Sequence, residues 1–393
     1  MDALLHGRLL CDTLRLGDLD DGERARLAAL WRDADQGALV ALALHEGAEL
    51  WLQRRLKAAE IALADDARAT LGAAATRVRA GVMRADAALA RVAGIFASAG
   101  VEMVPLKSAA LRRLTGRLPL ADARGVSDVD LLVPELEADR ASVVLRGHQF
   151  VPLQAEESRP PGHHHRVPLA DAWGVAVELH ESTHQAVRPA EAWRRATHRP
   201  QLAWIDGHQL QLASDTELLW HALVHANRDA GEQARIGLRL RYWLDGAVLV
   251  AGSVIDWSLI RSRLDGGELD SPELARAWLW WAASLAGRSL GFSEIGMGEL
   301  GALDLPRLLA WRLHVLARHS AESRWREKLL EEGARAEGGL PRRARNPGAS
   351  FVAGARSAAA ALAARAAHAA WKAGLRGSDG FTQEFPAPTT PPT

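Results

Sequence analysis

The spacing of apolar residues changes twice along the chain and separates helical from mixed segments. Residues 1–98 place apolar side chains at helical intervals, which predicts several packed helices that stop at Gly100. The short apolar runs VEMVPL and DVDLLVP and the alternating run WGVAVELH then predict strands interleaved with helices over 99–205. Helical spacing returns over 206–335. We therefore expect an α+β fold in which a strand-containing core is flanked by two helical regions.

The final segment, residues 336–393, has a different composition. It comprises a linker, an alanine-rich stretch that predicts a helix near 354–374, and the Pro/Thr-rich tail FTQEFPAPTTPPT. A tail of this composition cannot bury enough apolar surface to fold, so we expect it to be disordered.

Composition narrows the class of protein. The 393 residues carry 48 basic and 48 acidic side chains, and this balance argues against a nucleic-acid partner. The single cysteine, Cys11, excludes an internal disulfide and a cysteine-cage zinc site, and it fits a reducing cytoplasm. No run approaches the roughly 18 apolar residues needed to cross a bilayer, and the N-terminus lacks the pattern of a signal peptide.

The stretch VELHESTH has two incompatible interpretations. From His180 it spells H-E-x-x-H, the zinc motif of metalloproteases, which requires His180 and His184 one turn apart on a helix with Glu181 as the base. From Glu178 it is the end of an alternating strand that carries one carboxylate. Because Ser182 and Thr183 are poor helix formers, we favour the strand and Glu178.

A second candidate site lies upstream, in VPLKSAALRRL and DVDLLVP. Asp128 and Asp130 are two residues apart on a predicted strand, so both carboxylates face the same side and suit Mg²⁺ or Mn²⁺. Lys107 and Ser108 follow another apolar run and open a predicted helix, whose free backbone N–H groups form an anion site. A phosphate site beside a metal site is what nucleotidyl transfer requires.

The motifs LKSAAL, ARGVSDVDLLVP and AVELHE resemble an uncharacterised bacterial branch of the DNA polymerase β-like nucleotidyltransferase superfamily, over about residues 40–250. The resemblance implies a polymerase β-like core and a divalent metal held by Asp128, Asp130 and Glu178. It also implies an NTP bound by Lys107, Ser108 and Arg124. Ser108 replaces the usual glycine of the turn. Without a cation, we expect the three carboxylates to repel one another.

The leading hypothesis is therefore a Mg²⁺-dependent enzyme that moves an NMP group from an NTP to a hydroxyl or phosphate acceptor. The acceptor would be a small molecule, sugar, peptide or protein, in a biosynthetic or natural-product pathway. A non-catalytic nucleotide- or partner-binding module on the same fold is the alternative, and the H-E-x-x-H zinc hydrolase is the third.

Several aromatic and histidine positions have a structural and a functional interpretation. The histidines His163–His165 are expected in a loop beside the Glu178 strand, and His221 and His225 on one helix face could share a ligand. The 14 tryptophans are interpreted as packing residues and not as a base-stacking platform.

Overall fold

Helices account for most of the described structure. The computed structural model describes residues 3–290, apart from 119, 127, 155–163, 185–186, 233–238, 270–271 and 289, together with residue 309. The helices are α1 (Ala3–Leu14), α2 (Asp21–Asp33), α3 (Gln36–His45), α4 (Glu49–Ala58), α5 (Asp65–Ala99), α6 (Lys107–Arg112), α7 (Ala138–Gly147), α8 (Pro189–Thr197), α9 (Asp215–Glu232), α10 (Leu240–Gly252), α11 (Trp257–Asp265) and α12 (Pro272–Leu285).

The strands form a small mixed sheet and a separate hairpin. Their bounds are β1 (Val104–Pro105), β2 (Asp128–Leu132), β3 (Val151–Pro152), β4 (Leu169–Ala170), β5 (Ala176–His180), β6 (Gln201–Ile205) and β7 (His208–Leu212). The sheet has the order β1-β2-β5-β4-β3, in which β2 and β5 are parallel and the other pairs are antiparallel. The helices and the mixed sheet together give the α+β architecture expected from the sequence.

The long helix α5 leads the chain into the sheet. Asp65 and Asp66 in its first turn interact favourably with the helix dipole, and Leu89 and Phe96 on its inner face are buried. It stops where Gly100 adopts a left-handed conformation with φ of 63°, which a residue with a side chain adopts less readily. The predicted stop at Gly100 is thus confirmed, and β1 follows within a few residues.

Nearly all residues of helix α10 are buried, so this helix belongs to the core. It packs so closely against α12 that a Cβ added at Gly246 would lie 2.4 Å from the Trp278 ring and 2.9 Å from the Cβ of Ala282. Only glycine fits this contact. The position of α10 is therefore tightly determined by α12.

Met1–Glu232 and Ile236–Trp325 belong to one compact unit, which contains the features discussed below. The alanine-rich helix predicted near 354–374 and the Pro/Thr-rich tail lie outside the described residues. The division into segments 1–98, 99–205, 206–335 and 336–393 stays a prediction. No helix in the described part of the chain is apolar over a sufficient length to cross a lipid bilayer.

Candidate active site

The candidate carboxylates lie on the two parallel strands at the centre of the sheet. Asp128 and Asp130 belong to β2, and Glu178 and His180 belong to β5. The register pairs Asp130 with Glu178 and Leu132 with His180. Because side chains alternate along a strand, Asp128, Asp130, Glu178 and His180 share one face of the sheet.

Asp130 is the best-connected member of this group. Its Oδ1 accepts a hydrogen bond from Lys107 Nζ at 2.6 Å and lies 2.8 Å from His180 Nε2. His180 Nε2 is also 3.5 Å from Glu178 Oε2. The side chains of Asp130 and His180 are only 1% and 2% exposed, whereas that of Glu178 is 21% exposed. A cationic lysine and a histidine therefore face two carboxylates in a largely dry site.

These contacts determine the charge states. Burial would raise the pKa of Asp130, but Lys107 and His180 outweigh it and hold that pKa far below its usual range. Burial would lower the pKa of His180 and of Lys107, yet their contacts with Asp130 outweigh it and raise both values. The pKa of Glu178 is lowered, because its contact with His180 helps to outweigh burial. The repulsion expected among the carboxylates is thus offset by Lys107 and His180.

The turn that carries Lys107 connects β1 to α6. Lys107 has a positive φ of 47°, a left-handed conformation that is uncommon for a residue with a side chain. Leu106 N–H donates to the Asp130 carbonyl at 2.9 Å, and Ala110 N–H donates to the Leu106 carbonyl at 3.2 Å. The N–H groups of Lys107, buried Ser108 and Ala109 precede that first helical bond, as expected for a helix start.

Arg124 lies on the approach to β2 and is 9% exposed. Its Nε donates to Oδ1 of Asp245 on α10 at 2.6 Å, and its Nη1 donates to the Gly125 carbonyl at 2.8 Å. Burial raises the pKa of Asp245 even though Arg124 opposes this effect. The arginine therefore connects the sheet to α10, a partner that no local sequence pattern specifies.

The residues present can accommodate a metal ion. Ligand atoms of Asp130, Glu178 and His180 all lie within 4.8 Å of one another. The Oδ2 atom of Asp130 is buried without a hydrogen-bond partner among the described residues, so a carboxylate oxygen stays available. His180 was not among the metal ligands expected from the sequence, although its spacing from Glu178 places it on the same strand face. Asp128 is outside this closest group but interacts electrostatically with Lys107.

The H-E-x-x-H motif has a different geometry from that of a zinc protease. His180 ends β5, and the residues from Glu181 to His184 are not helical. Glu181 Oε1 lies 2.5 Å from Arg166 Nε, so this carboxylate forms an ion pair with an arginine. Among the described residues, His180 groups with Asp130 and Glu178 and not with His184.

The remaining histidine candidates lie in two places. The backbones of His165 and His180 form an isolated antiparallel β-bridge, and their ring centroids are 5.2 Å apart. This part of the loop therefore lies beside the Glu178 strand, as expected. His163 is outside the described residues. His225 packs edge-on against Tyr242 at 5.0 Å, and neither it nor His221 belongs to a metal-capable group within the described residues.

Most of the described tryptophans are packing residues, but two are not. Trp31, Trp51, Trp243 and Trp278 are fully buried. Trp173 and Trp204, by contrast, are 73% and 64% exposed, so the interpretation of the tryptophans as packing residues is wrong for these two. Trp173 lies in a turn, and Trp204 lies on the exposed face of the strand β6. At neither position does the spacing of apolar residues in the sequence show whether the side chain is buried.

The mixed sheet places two strands that carry carboxylates beside a helix that begins with a lysine. This arrangement is expected of a nucleotidyltransferase. The chain belongs to the family described as uncharacterised nucleotidyltransferase, whose model matches residues 32–285. This membership confirms the resemblance found in the sequence and supports nucleotidyl transfer as the general activity.

Two solved structures are similar to part of the chain. The solution structure of the antibiotic-resistance factor ANT(2'')-Ia has 12% identity, covers 48% of this chain and 96% of its own, and gives a TM-score of 0.33. An antigenic nucleotidyltransferase-like protein from Paracoccidioides brasiliensis has 17% identity, covers 54% of this chain and 96% of its own, and gives a TM-score of 0.34. No curated protein matches the chain.

Proposed function

We propose that the protein is a Mg²⁺- or Mn²⁺-dependent enzyme that transfers an NMP group from an NTP to a hydroxyl or phosphate acceptor. The observation that carries this proposal is the in-register pairing of Asp130 with Glu178, next to Asp128 and to the Lys107 turn. Family membership supports the general reaction.

Asp128, Asp130 and Glu178 are the proposed metal ligands, with His180 beside them. Carboxylate oxygens are the donors that Mg²⁺ and Mn²⁺ prefer. A bound divalent cation would neutralise the triphosphate oxygens and the charge that develops during transfer. Without a metal ion, Asp130 Oδ1 accepts a hydrogen bond from Lys107 Nζ. The other carboxylate oxygen, Oδ2, has no hydrogen-bond partner among the described residues and could bind a cation.

The start of α6 is the proposed triphosphate site. The N–H groups of Lys107, Ser108 and Ala109 can donate to phosphate oxygens without breaking a helical bond. Lys107 adds a charge that can move from Asp130 to a phosphate once a cation replaces it at the carboxylates. Arg124 remains a further candidate for phosphate contact, although its Nε is already bound to Asp245.

Glu178 is the proposed partner of the acceptor. Its lowered pKa keeps it ionised at neutral pH, and its partial exposure lets an acceptor hydroxyl donate a hydrogen bond to it. The acceptor oxygen would attack the α-phosphorus and the bond to pyrophosphate would break. The hydroxyl proton would pass to Glu178 or to water.

Label transfer tests this function. The protein would be incubated with each α-³²P-labelled NTP, Mg²⁺ or Mn²⁺, and a bacterial lysate, and labelled acceptors would be separated by size and charge. We expect Asp128→Asn, Asp130→Asn and Glu178→Gln to abolish transfer. Glu181→Gln and His184→Ala serve as matched controls and should retain it.

Two outcomes would contradict the proposal. NTP binding without label transfer in every mixture would favour a non-catalytic binding module. Loss of activity in the Glu181 and His184 variants with full activity in Glu178→Gln would favour a zinc hydrolase.

A further inference from the structure

A cavity of about 380 Å³ opens at the edge of the sheet where β2 and β5 begin. Gly125 and Val126, just before β2, and Gly174 and Val175, just before β5, form its floor, and α5 and the starts of α4 and α10 form its walls. Its volume suits a small molecule. Its charged and aromatic lining residues are Glu49, Arg77, Arg84, Arg124, Trp173 and Arg241.

The cavity carries an excess of positive charge. Arg77 and Arg84 lie about two turns apart on α5, are exposed, and have no hydrogen bond or ion pair with a described residue. Arg124 is neutralised by Asp245, and Glu49 opposes the remaining arginines. Burial raises the pKa of Glu49, which favours the neutral, protonated form of its carboxyl group. Apart from the paired Arg124, three arginines (Arg77, Arg84 and Arg241) therefore line the cavity with one carboxylate, Glu49.

Two residues that line this cavity each have a buried polar atom without a hydrogen-bond partner in the described part of the chain. Nε of Arg241 and Oε2 of Glu49 make no hydrogen bond with any described residue. Arg241 is otherwise fixed, because its Nη2 donates to the Tyr242 hydroxyl at 2.8 Å and its backbone N–H donates to the Glu46 carbonyl at 3.3 Å. Because an unpaired buried donor is costly, an acceptor group that reached the Arg241 guanidinium would be stabilised there.

Trp173 provides a flat surface at the mouth of the cavity. Asp171 Oδ1 accepts from the N–H groups of both Trp173 and Val175 at 2.9 Å, and Gly174 completes the turn with φ of 75°. The turn is thus well determined, yet it holds the indole 73% exposed. An exposed indole fixed beside a cationic cavity suits a ring of a ligand whose anionic group lies deeper.

Asp128 lies between this cavity and the Lys107 turn. Val126, which lines the cavity, precedes Asp128 by two residues, so their Cα atoms are at most about 7 Å apart. The Asp128 carboxylate interacts electrostatically with both Lys107 and Arg241. In-line displacement requires the acceptor and the leaving pyrophosphate on opposite sides of the α-phosphorus. With the triphosphate at the start of α6, an acceptor in the arginine-lined cavity would approach from the side of Asp128.

We propose that this cavity binds the acceptor, and that the acceptor is a small ring-containing molecule with a phosphate or carboxylate group, such as a sugar phosphate or a sugar acid. This inference rests on the proposed function. Arg77, Arg84 and Arg241 hold the anionic group. Trp173 stacks on the ring, and the reacting oxygen is directed toward Asp128 and Glu178.

Charge reversal separates acceptor binding from nucleotide binding. Glucose 1-phosphate, glucuronate, glucose, inorganic phosphate and MgATP would each be titrated calorimetrically into the full-length protein. The Arg77→Glu/Arg84→Glu variant would be compared with Arg68→Glu/Arg79→Glu, which changes the same charge on exposed α5 positions outside the cavity. The glucuronate and glucose 1-phosphate titrations distinguish a carboxylate from a phosphate ligand.

We expect wild type to bind at least one of the two anionic sugars and not glucose. The cavity variant should bind that anion at least about tenfold more weakly, with MgATP affinity within about threefold of wild type, because each charge-assisted contact is strong. The control variant should match wild type. Trp173→Ala should weaken binding of the anionic sugar roughly fivefold and leave inorganic phosphate unchanged.

Three results would overturn the inference. Equal anion affinity in the cavity variant and the control would remove the arginines from any binding site. Loss of MgATP affinity in the cavity variant, with anionic sugars unaffected, would assign the cavity to the triphosphate. A wild-type protein that binds anionic sugars but not MgATP would overturn the proposed function, and with it the assignment of this cavity to an acceptor.

Discussion

Replacing Asp130 by asparagine tests how the metal-free site is stabilised. The amide has nearly the volume of the carboxylate, so no cavity is created, but the buried charge opposite Lys107 and His180 disappears. Removing one partner of a buried ion pair costs about 3–5 kcal/mol. The amide oxygen can still accept a hydrogen bond and Glu178 still faces His180 at 3.5 Å, so we expect about 2–4 kcal/mol of destabilisation.

Urea unfolding at pH 7 in excess EDTA measures this change. The more exposed Glu178→Gln is the matched comparison, and its free energy of unfolding should fall by no more than about 1 kcal/mol. Simple repulsion among the carboxylates forecasts the opposite sign, because an uncharged residue would relieve it. An unfolding midpoint for Asp130→Asn at or above that of wild type would therefore refute the neutralising role of Lys107 and His180.

Three further perturbations have defined outcomes. The raised pKa of His180 contributes stability that is fully present below the unfolded value of 6.5 and is lost as pH rises through the folded value. The free energy of unfolding of the metal-free protein, measured by urea titration, should therefore decrease above pH 6.5. His180→Gln should reduce this pH dependence. Arg124→Met leaves Asp245 buried and unpaired and should cost about 3–5 kcal/mol, and a double-mutant cycle with Asp245→Leu should recover part of the loss. Gly246→Ala forces a Cβ into the Trp278 ring and should cost about 1–3 kcal/mol, visible as a lower melting temperature.

Local sequence patterns predict the strands and the helix that carry the site, but they do not predict how these elements pack together. The alternation in DVDLL and AVELH predicts β2 and β5, and the spacing of Asp128 and Asp130 predicts their shared face. The parallel pairing of Asp130 with Glu178 joins residues 48 positions apart in the sequence. Such pairing depends on how the whole chain packs, which a window of about ten residues does not contain.

The hairpin of β6 and β7 is absent from the expectations drawn from the sequence, although its turn is a typical one. Asp206 and Gly207 both have positive φ, 47° and 79°, as a two-residue turn between antiparallel strands requires. The strands themselves alternate weakly, because Leu202 and Trp204 are apolar yet exposed. The apolar pattern alone therefore gives little indication of this element.

The arginine-lined cavity could not be predicted from the sequence for a different reason. Its charges come from α5, the approach to β2 and α10, each an ordinary arginine on a helix or loop in isolation. Arginine is abundant throughout the chain, so no single position is distinctive. Only the folded structure shows that Arg124 is paired with Asp245, whereas Arg77 and Arg84 line the cavity without an ion pair to a described residue.

The buried pair of Arg124 and Asp245 also limits how relatives of this chain can be recombined. The two residues are separated by 121 positions, so almost any crossover between the strands and the later helices separates them. A chimaera that inherits Arg124 from one parent needs an acid at position 245 from the other, because an unmatched buried charge would destabilise the floor of the cavity. Where two parents differ at position 124 or 245, crossovers on either side of the pair should yield folded hybrids more often than crossovers within it.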